Sequence, residues 1–281
     1  MKHLLFALAV LAVPVSASAE PSTAAVQPFS MDRLTPESAF RVDVGYEVWD
    51  TPPGVNDITV LSFDVGGHFV ARNGAGAYLS LPLSFLSIDT ILGDESELMV
   101  GNLEVGGLYA MRLKHDIALV LHGGVALPTA SDSEDALIPG VFQAYASVPR
   151  YGDLVQRIVD STWLRLGGSA MGRMGPLFWR GDLGLDIALD DDNLDAISPV
   201  FRLNVGGGVD LGAVQLLGEL VTNVYDSDDD DSASTFTLGA RFSAGNFHPG
   251  VALVLPLGQE RADLDYLDMA ILVSLATTVG Y

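Results

Sequence analysis

Residues 98 to 129 read LMVGNLEVGGLYAMRLKHDIALVLHGGVALPT, and two runs of period-two alternation within them decide the fold. In the first, Met99, Leu103, Val105, Tyr109 and Met111 share one face and Asn102, Glu104 and Gly106 the other. In the second, Ile117, Leu119, Leu121, Val125 and Leu127 alternate with Ala118, Val120, His122, Gly124 and Ala126. Side chains that change face at every residue define a β-strand. A short basic turn, Arg112 to Asp116, makes the pair a hairpin. Each arm holds about eleven to fourteen residues, longer than a soluble strand of about 5–6 and matched to a tilted strand that crosses a bilayer.

The rest of the chain repeats this pattern. Phe40, Val42, Val44, Tyr46 and Val48 alternate with Arg41, Asp43, Gly45, Glu47 and Trp49. Leu61, Phe63, Val65 and Phe69 oppose Ser62, Asp64, Gly66 and His68, and Arg72-Asn73-Gly74 then signals a tight turn. Leu79 to Phe85 follow, with Pro82 expected to distort the ladder because it has no N–H to donate. The spacing predicts a loop over 86–97 and, after the hairpin, an insertion from Ala130 to Ser161. In the insertion Leu154, Val155, Ile158 and Val159 have helical spacing, which predicts a short helix over the barrel mouth. Seven further strands bring the total to twelve.

Composition agrees with a membrane barrel. The chain is 49% hydrophobic yet carries a formal charge of −22, a combination that holds together only if apolar residues occupy one face of each strand. The apolar phase of the predicted strands contains no charged residue, as lipid exposure requires, since Arg or Lys there costs about 2–4 kcal/mol at the midplane. Connections alternate between short turns carrying Arg72, Arg112, Lys114 and Arg173 and long acidic ones such as Asp226 to Asp231, the asymmetry of periplasmic turns and external loops. A soluble β-sandwich or lipocalin-like barrel explains neither the strand length nor this alternation.

Residues 1–19 have the basic start, apolar core and Ala17-Ser18-Ala19 ending of an export signal. Residues 20–38, with Pro21, Pro28 and Pro36, form an irregular periplasmic leader that is either disordered or tucked into the barrel. Residues 39–281 are the barrel. The fold class is therefore all-β: a transmembrane antiparallel up-and-down barrel of about twelve strands in a bacterial outer membrane.

The final strand, MAILVSLATTVGY, resembles the closing strand of bacterial outer-membrane proteins, whose terminal aromatic, here Tyr281, is read by the barrel-assembly machinery. Gly101-Asn102-Leu103-Glu104-Val105-Gly106, with Ala126-Leu127-Pro128-Thr129 after the hairpin, resembles the channel-like family labelled as MetA-pathway phenol-degradation proteins. That family usually has Asp in place of Asn102 and Gly in place of Ala130. The resemblance implies a transporter of small molecules.

The opposite strand phase collects the candidate lumen-lining charges Asp43, Asp64, Glu104, Asp182, Asp186 and Glu219, with Arg41, Arg165, Arg180, Arg202 and Arg241. Many other positions in it are small, among them Gly45, Gly206, Gly239 and Gly250, which leaves open volume. The expectation is a narrow passive channel for small solutes, preferring cations or neutral molecules because its middle is acidic. A closed structural or adhesive barrel and a lipid-modifying barrel enzyme stand as alternatives. His68, His122 and His248 share the inward phase but lie at no spacing that groups them with a nucleophile and a carboxylate, so no enzyme activity is expected. Asp228, Asp229, Asp230 and Asp231 offer weak cation association without the glycine and glutamate of an EF-hand loop. No cofactor or defined metal site is implied, the partners expected are outer-membrane lipids, and the acidic balance excludes nucleic acid.

Overall fold

A computed structural model describes residues 27–49, 55–90, 93–114, 116–130, 146–189, 198–225, 232–257 and 267–279. Residues 1–19, expected to be an export signal, the acidic residues 132–135, 190–192 and 226–231, residues 260–266 and Tyr281 lie outside the described residues.

Thirteen strand segments form one antiparallel sheet: β1 (Ser38–Trp49), β2 (Val55–Val70), β3 (Ala75–Thr90), β4 (Gly93–Val100), β5 (Leu103–Lys114), β6 (Ile117–Leu127), β7 (Trp163–Met174), β8 (Leu177–Ala188), β9 (Val200–Asp210), β10 (Val214–Tyr225), β11 (Ser232–Phe242), β12 (Phe247–Leu257) and β13 (Leu267–Val279). The sheet closes through β1 and β13, from Ser38 opposite Val279 to Val48 opposite Met269. β4 and β5 both pair with β3, so they are two halves of one stave and the barrel has twelve staves. Among the described residues no helix is long and apolar enough to cross a membrane.

Pro82 accounts for the split stave. Its register with β2 is undisturbed, facing Asp64, and the distortion appears on the other side. Leu83 pairs with Val100 and Ser80 with Glu104, so Leu81 and Pro82 face three residues, Gly101, Asn102 and Leu103. The extra residue is a β-bulge, with the Gly101 amide donating to the Pro82 carbonyl at 2.8 Å. The bulge inverts the phase, which corrects the alternation expected of Met99: it points inward and is buried, while Leu98 and Val100 face out. The loop expected over 86–97 is also mostly strand, because β3 reaches Thr90 and β4 starts at Gly93.

Elsewhere the alternation holds. Leu183, Leu203, Val205, Leu238 and Val251 are exposed on the outer surface, whereas Asp43, Asp182, Arg202 and Arg241 are buried inside. Four of the short turns place a glycine at positive φ, at Gly74, Gly175, Gly212 and Gly245, a conformation that tight turns need and that a side chain disfavours.

Among the described residues, two segments fill the lumen. The leader, described from Gln27, runs inside the barrel with Phe29, Ser30 and Met31 at most 1% exposed. The insertion contributes a 3-10 helical segment, Val148–Arg157, that is also inside, with Arg150, Gln156 and Arg157 buried. This corrects the expected lid over the mouth: a segment that carries Arg150, Asp153 and Arg157 beside its apolar residues finds partners among the charges of the wall rather than at the rim.

Candidate functional site

The lumen is a polar core built from three sources: inward charges of the wall, the main chain of the leader, and the side chains of the 3-10 segment. Burial of an ion without partners costs several kcal/mol, and here nearly every wall charge has one.

The wall grips the leader through its backbone. Glu219 on β10 accepts hydrogen bonds from the amides of Phe29 and Ser30 at 2.7 Å and of Met31 at 3.0 Å. Asp182 on β8 accepts from the Asp32 amide at 3.1 Å. Arg241 on β11 donates to the carbonyls of Gln27 at 2.6 Å and Pro28 at 3.0 Å. Arg41 on β1 donates to the carbonyls of Pro28 and Phe29, and Arg180 on β8 to that of Leu34 at 3.1 Å.

The 3-10 segment closes over the same stretch. Arg150 donates to the Phe29 carbonyl and, at 3.1 Å, to that of Met31. Arg33 of the leader pairs with Asp153 at 2.7 Å. Arg157 reaches Asp64 on β2 at 3.1 Å, and Gln156 bonds Glu104 on β5. Arg165 on β7 links Glu104 at 2.6 Å to Asp186 at 3.2 Å, and Arg202 on β9 meets Asp186 at 3.0 Å. Asn102, in the bulge, anchors the end of the segment: its side-chain nitrogen donates to the Ile158 carbonyl at 2.7 Å and its oxygen accepts from the Ala130 amide at 3.0 Å.

Asp32, Asp153 and Arg33 are each shifted toward the charged form. Burial pushes Asp32 upward, but His122, with Nε2 2.7 Å from its carboxylate, and then Arg180 and Arg202 bring it below the usual carboxylate range. Burial likewise opposes ionisation of Asp153, and Arg33, Arg150 and Arg165 outweigh it. For Arg33 the opposition of burial is overcome by Asp153, Asp64 and Asp43, which raise it above its ordinary value.

The eleven charges singled out in the sequence all stand on the inner wall and are buried. The structure joins them into the network above rather than leaving them along an open bore. Sequence reasoning missed the partners on the plug: Asp32, Arg33, Arg150, Asp153 and Arg157. The available signal was the short segment PRYGDLVQR, which carries three charges of the complementary kind beside the apolar positions that suggested a helix. Of the histidines, His68 bonds Thr35 of the leader at 3.1 Å and His248 meets Thr278 at 3.3 Å. A cavity of about 40 Å³ remains between leader and wall, lined in part by Asp32, Arg33, His68, Tyr78, Glu104 and His122.

Among solved structures, the chain is similar to an outer-membrane channel from Pseudomonas putida F1, with a TM-score of 0.60 at 13% identity over 91% of this chain and 100% of that one. It is similar to the NanC porin, TM-score 0.52 at 9% identity over 85% and 100%. It also resembles the KdgM porin, TM-score 0.50 at 11% identity over 85% and 99%. No family model and no curated protein matches the chain. At such identities the likeness is one of fold: the chain is a closed antiparallel β-barrel of the architecture that these outer-membrane channels and porins share.

Proposed function

We propose that the chain is a passive outer-membrane channel for small solutes, described here in its closed state, with the leader, braced by the 3-10 segment, as its plug. The observation that carries this reading is what fills the bore. In a closed structural barrel the wall's own side chains meet across the lumen; here inward wall positions are glycines whose missing Cβ makes room for plug atoms. A Cβ at Gly206 would lie 2.6 Å from the Met31 sulfur, and one at Gly250 2.6 Å from the Phe29 ring. Displacement of the plug leaves a vacant bore.

The same geometry supports a preference for cations or neutral solutes in the open state. The buried wall carries seven carboxylates, Asp43, Glu47, Asp64, Glu104, Asp182, Asp186 and Glu219, against five arginines, Arg41, Arg165, Arg180, Arg202 and Arg241. The 3-10 segment adds Arg150 and Arg157 against Asp153, and the leader carries Arg33 against Asp32 and Glu37. When the leader leaves, eight described carboxylates remain in the lumen against seven arginines, and this negative excess concentrates cations in a low-dielectric bore.

The test is a reversal potential under a potassium chloride gradient, in the chain lacking residues 27–37 and in the same chain with Glu104→Gln and Glu219→Gln. Cation preference in the first and its reduction in the second are expected. Anion preference would overturn the charge argument, and a barrel that never conducts would favour the structural alternative.

A further inference from the structure

The leader is held as a peptide ligand would be held. Between Gln27 and Leu34 the wall and the 3-10 segment bind main-chain groups of both kinds: Arg41, Arg150, Arg180 and Arg241 take carbonyls, and Glu219 and Asp182 take amides. Donors and acceptors together match a polypeptide backbone, which offers both at each residue, here bent over residues 29–31 so that three consecutive amides meet one carboxylate; main-chain contacts of this kind are indifferent to side-chain identity.

One side chain is read as well. The Phe29 ring enters a socket made by the absent side chains of Gly239 and Gly250, with Phe178 and Leu217 in the same apolar cluster and the Arg241 guanidinium 4.1 Å from the ring centroid. A cation over an aromatic face in a desolvated site is a favourable pairing for any aromatic residue. The socket belongs to the wall on β8 and β10–β12, while its occupant belongs to the leader.

We propose that the lumen is a binding site for oligopeptides that carry a bulky aromatic side chain and bend as residues 29–31 do, and that the leader occupies it as a resident competitor. This rests on the channel reading above and names a solute class for it, since a peptide that displaces the leader takes over the same clamp and socket.

The experiment measures binding in detergent, so it does not depend on conductance. A fluorescent peptide of the sequence QPFSMDRLTPE is titrated against the full-length chain carrying Phe29→Ala, which empties the socket without altering the wall. Saturable binding is expected, at least tenfold tighter than to the wild-type chain, where Phe29 competes. A peptide with an N-methyl group at its Ser, which removes one of the three amides donated to Glu219 and sets a methyl group against the carboxylate, is expected to lose at least tenfold. An unrelated serine- and alanine-rich peptide with one central Phe is expected to bind within about tenfold of the leader sequence. No saturable binding, equal affinity for both chains, or binding confined to the leader sequence would overturn the proposal. Should the Phe29→Ala chain fail to fold, judged by loss of heat-modifiable migration, the wild-type chain serves: excess peptide must accelerate proteolysis of the leader, and an unchanged rate would overturn the proposal.

Discussion

The carboxylate of Glu219 accepts a hydrogen bond from the main-chain amide of Ser30 at 2.7 Å, joining residues 189 apart in sequence across the inside of the barrel. The same carboxylate serves the amides of Phe29 and Met31, so one side chain fixes three consecutive residues of the leader. Glu219→Gln replaces one acceptor oxygen by a donor that faces those amides. Hydrogen bonds to charged groups contribute about 1.5–3 kcal/mol, so the leader should be released about ten- to a hundredfold more often. Proteolysis of the leader in detergent should speed up accordingly; an unchanged rate would show that Glu219 is dispensable to the plug.

Sterics offer a route to the same outcome with every hydrogen-bonding group intact. A side chain at Gly239 or Gly250 meets the Phe29 ring, so Gly239→Val should expel the leader and raise permeability in liposome swelling. Gly181 is the control, because a Cβ there has its nearest neighbour at 3.9 Å, in ordinary contact; Gly181→Ala should behave as wild type. Equal permeability in all three chains would remove the socket from the account.

Asn102 should govern the 3-10 segment alone. Asn102→Asp sets an acceptor against the carbonyls of Val155, Ile158 and Ser161, and a buried group so mispaired costs about 1–3 kcal/mol. Arg150 and Arg157 are buried in the wild type, so trypsin cleavage at them should accelerate roughly tenfold or more, while heat-modifiable migration of the barrel persists. Resistance equal to wild type would count against an anchoring role.

Acid should open the plug late. Asp32 and Asp153 sit below their ordinary value of 3.8 when the plug is seated. A carboxylate lowered in the seated state stabilises that state fully above its free value, and the contribution is lost as pH falls from there through the seated value. Leader proteolysis by an acid-tolerant protease should therefore be flat between pH 7 and 5 and rise only below about pH 4. Release centred near pH 6 would place control elsewhere.

How much of this was legible in the sequence follows from which residues signal locally. Outward positions such as Leu183 and Leu203 repeat every second residue, so strand phase, staves and the inward charges could be read directly. Met99 could not, because the bulge that inverts its phase arises from Pro82 on the neighbouring stave. The plug was legible only as an alternative: a proline-bearing leader has no periodicity, and the partners of Glu219 are main-chain amides, which every sequence has. The glycines at 239 and 250 read as small lumen residues, and only the position of Phe29 shows them to be a socket.

The central claim is that this barrel is a channel closed by its own leader, and single-channel recording in planar bilayers tests it most directly. The wild-type chain should remain mostly closed, and the chain lacking residues 27–37, with β-type circular dichroism and heat-modifiable migration intact, should show sustained conductance steps. A folded, leader-deleted barrel as silent as the wild type would contradict the claim.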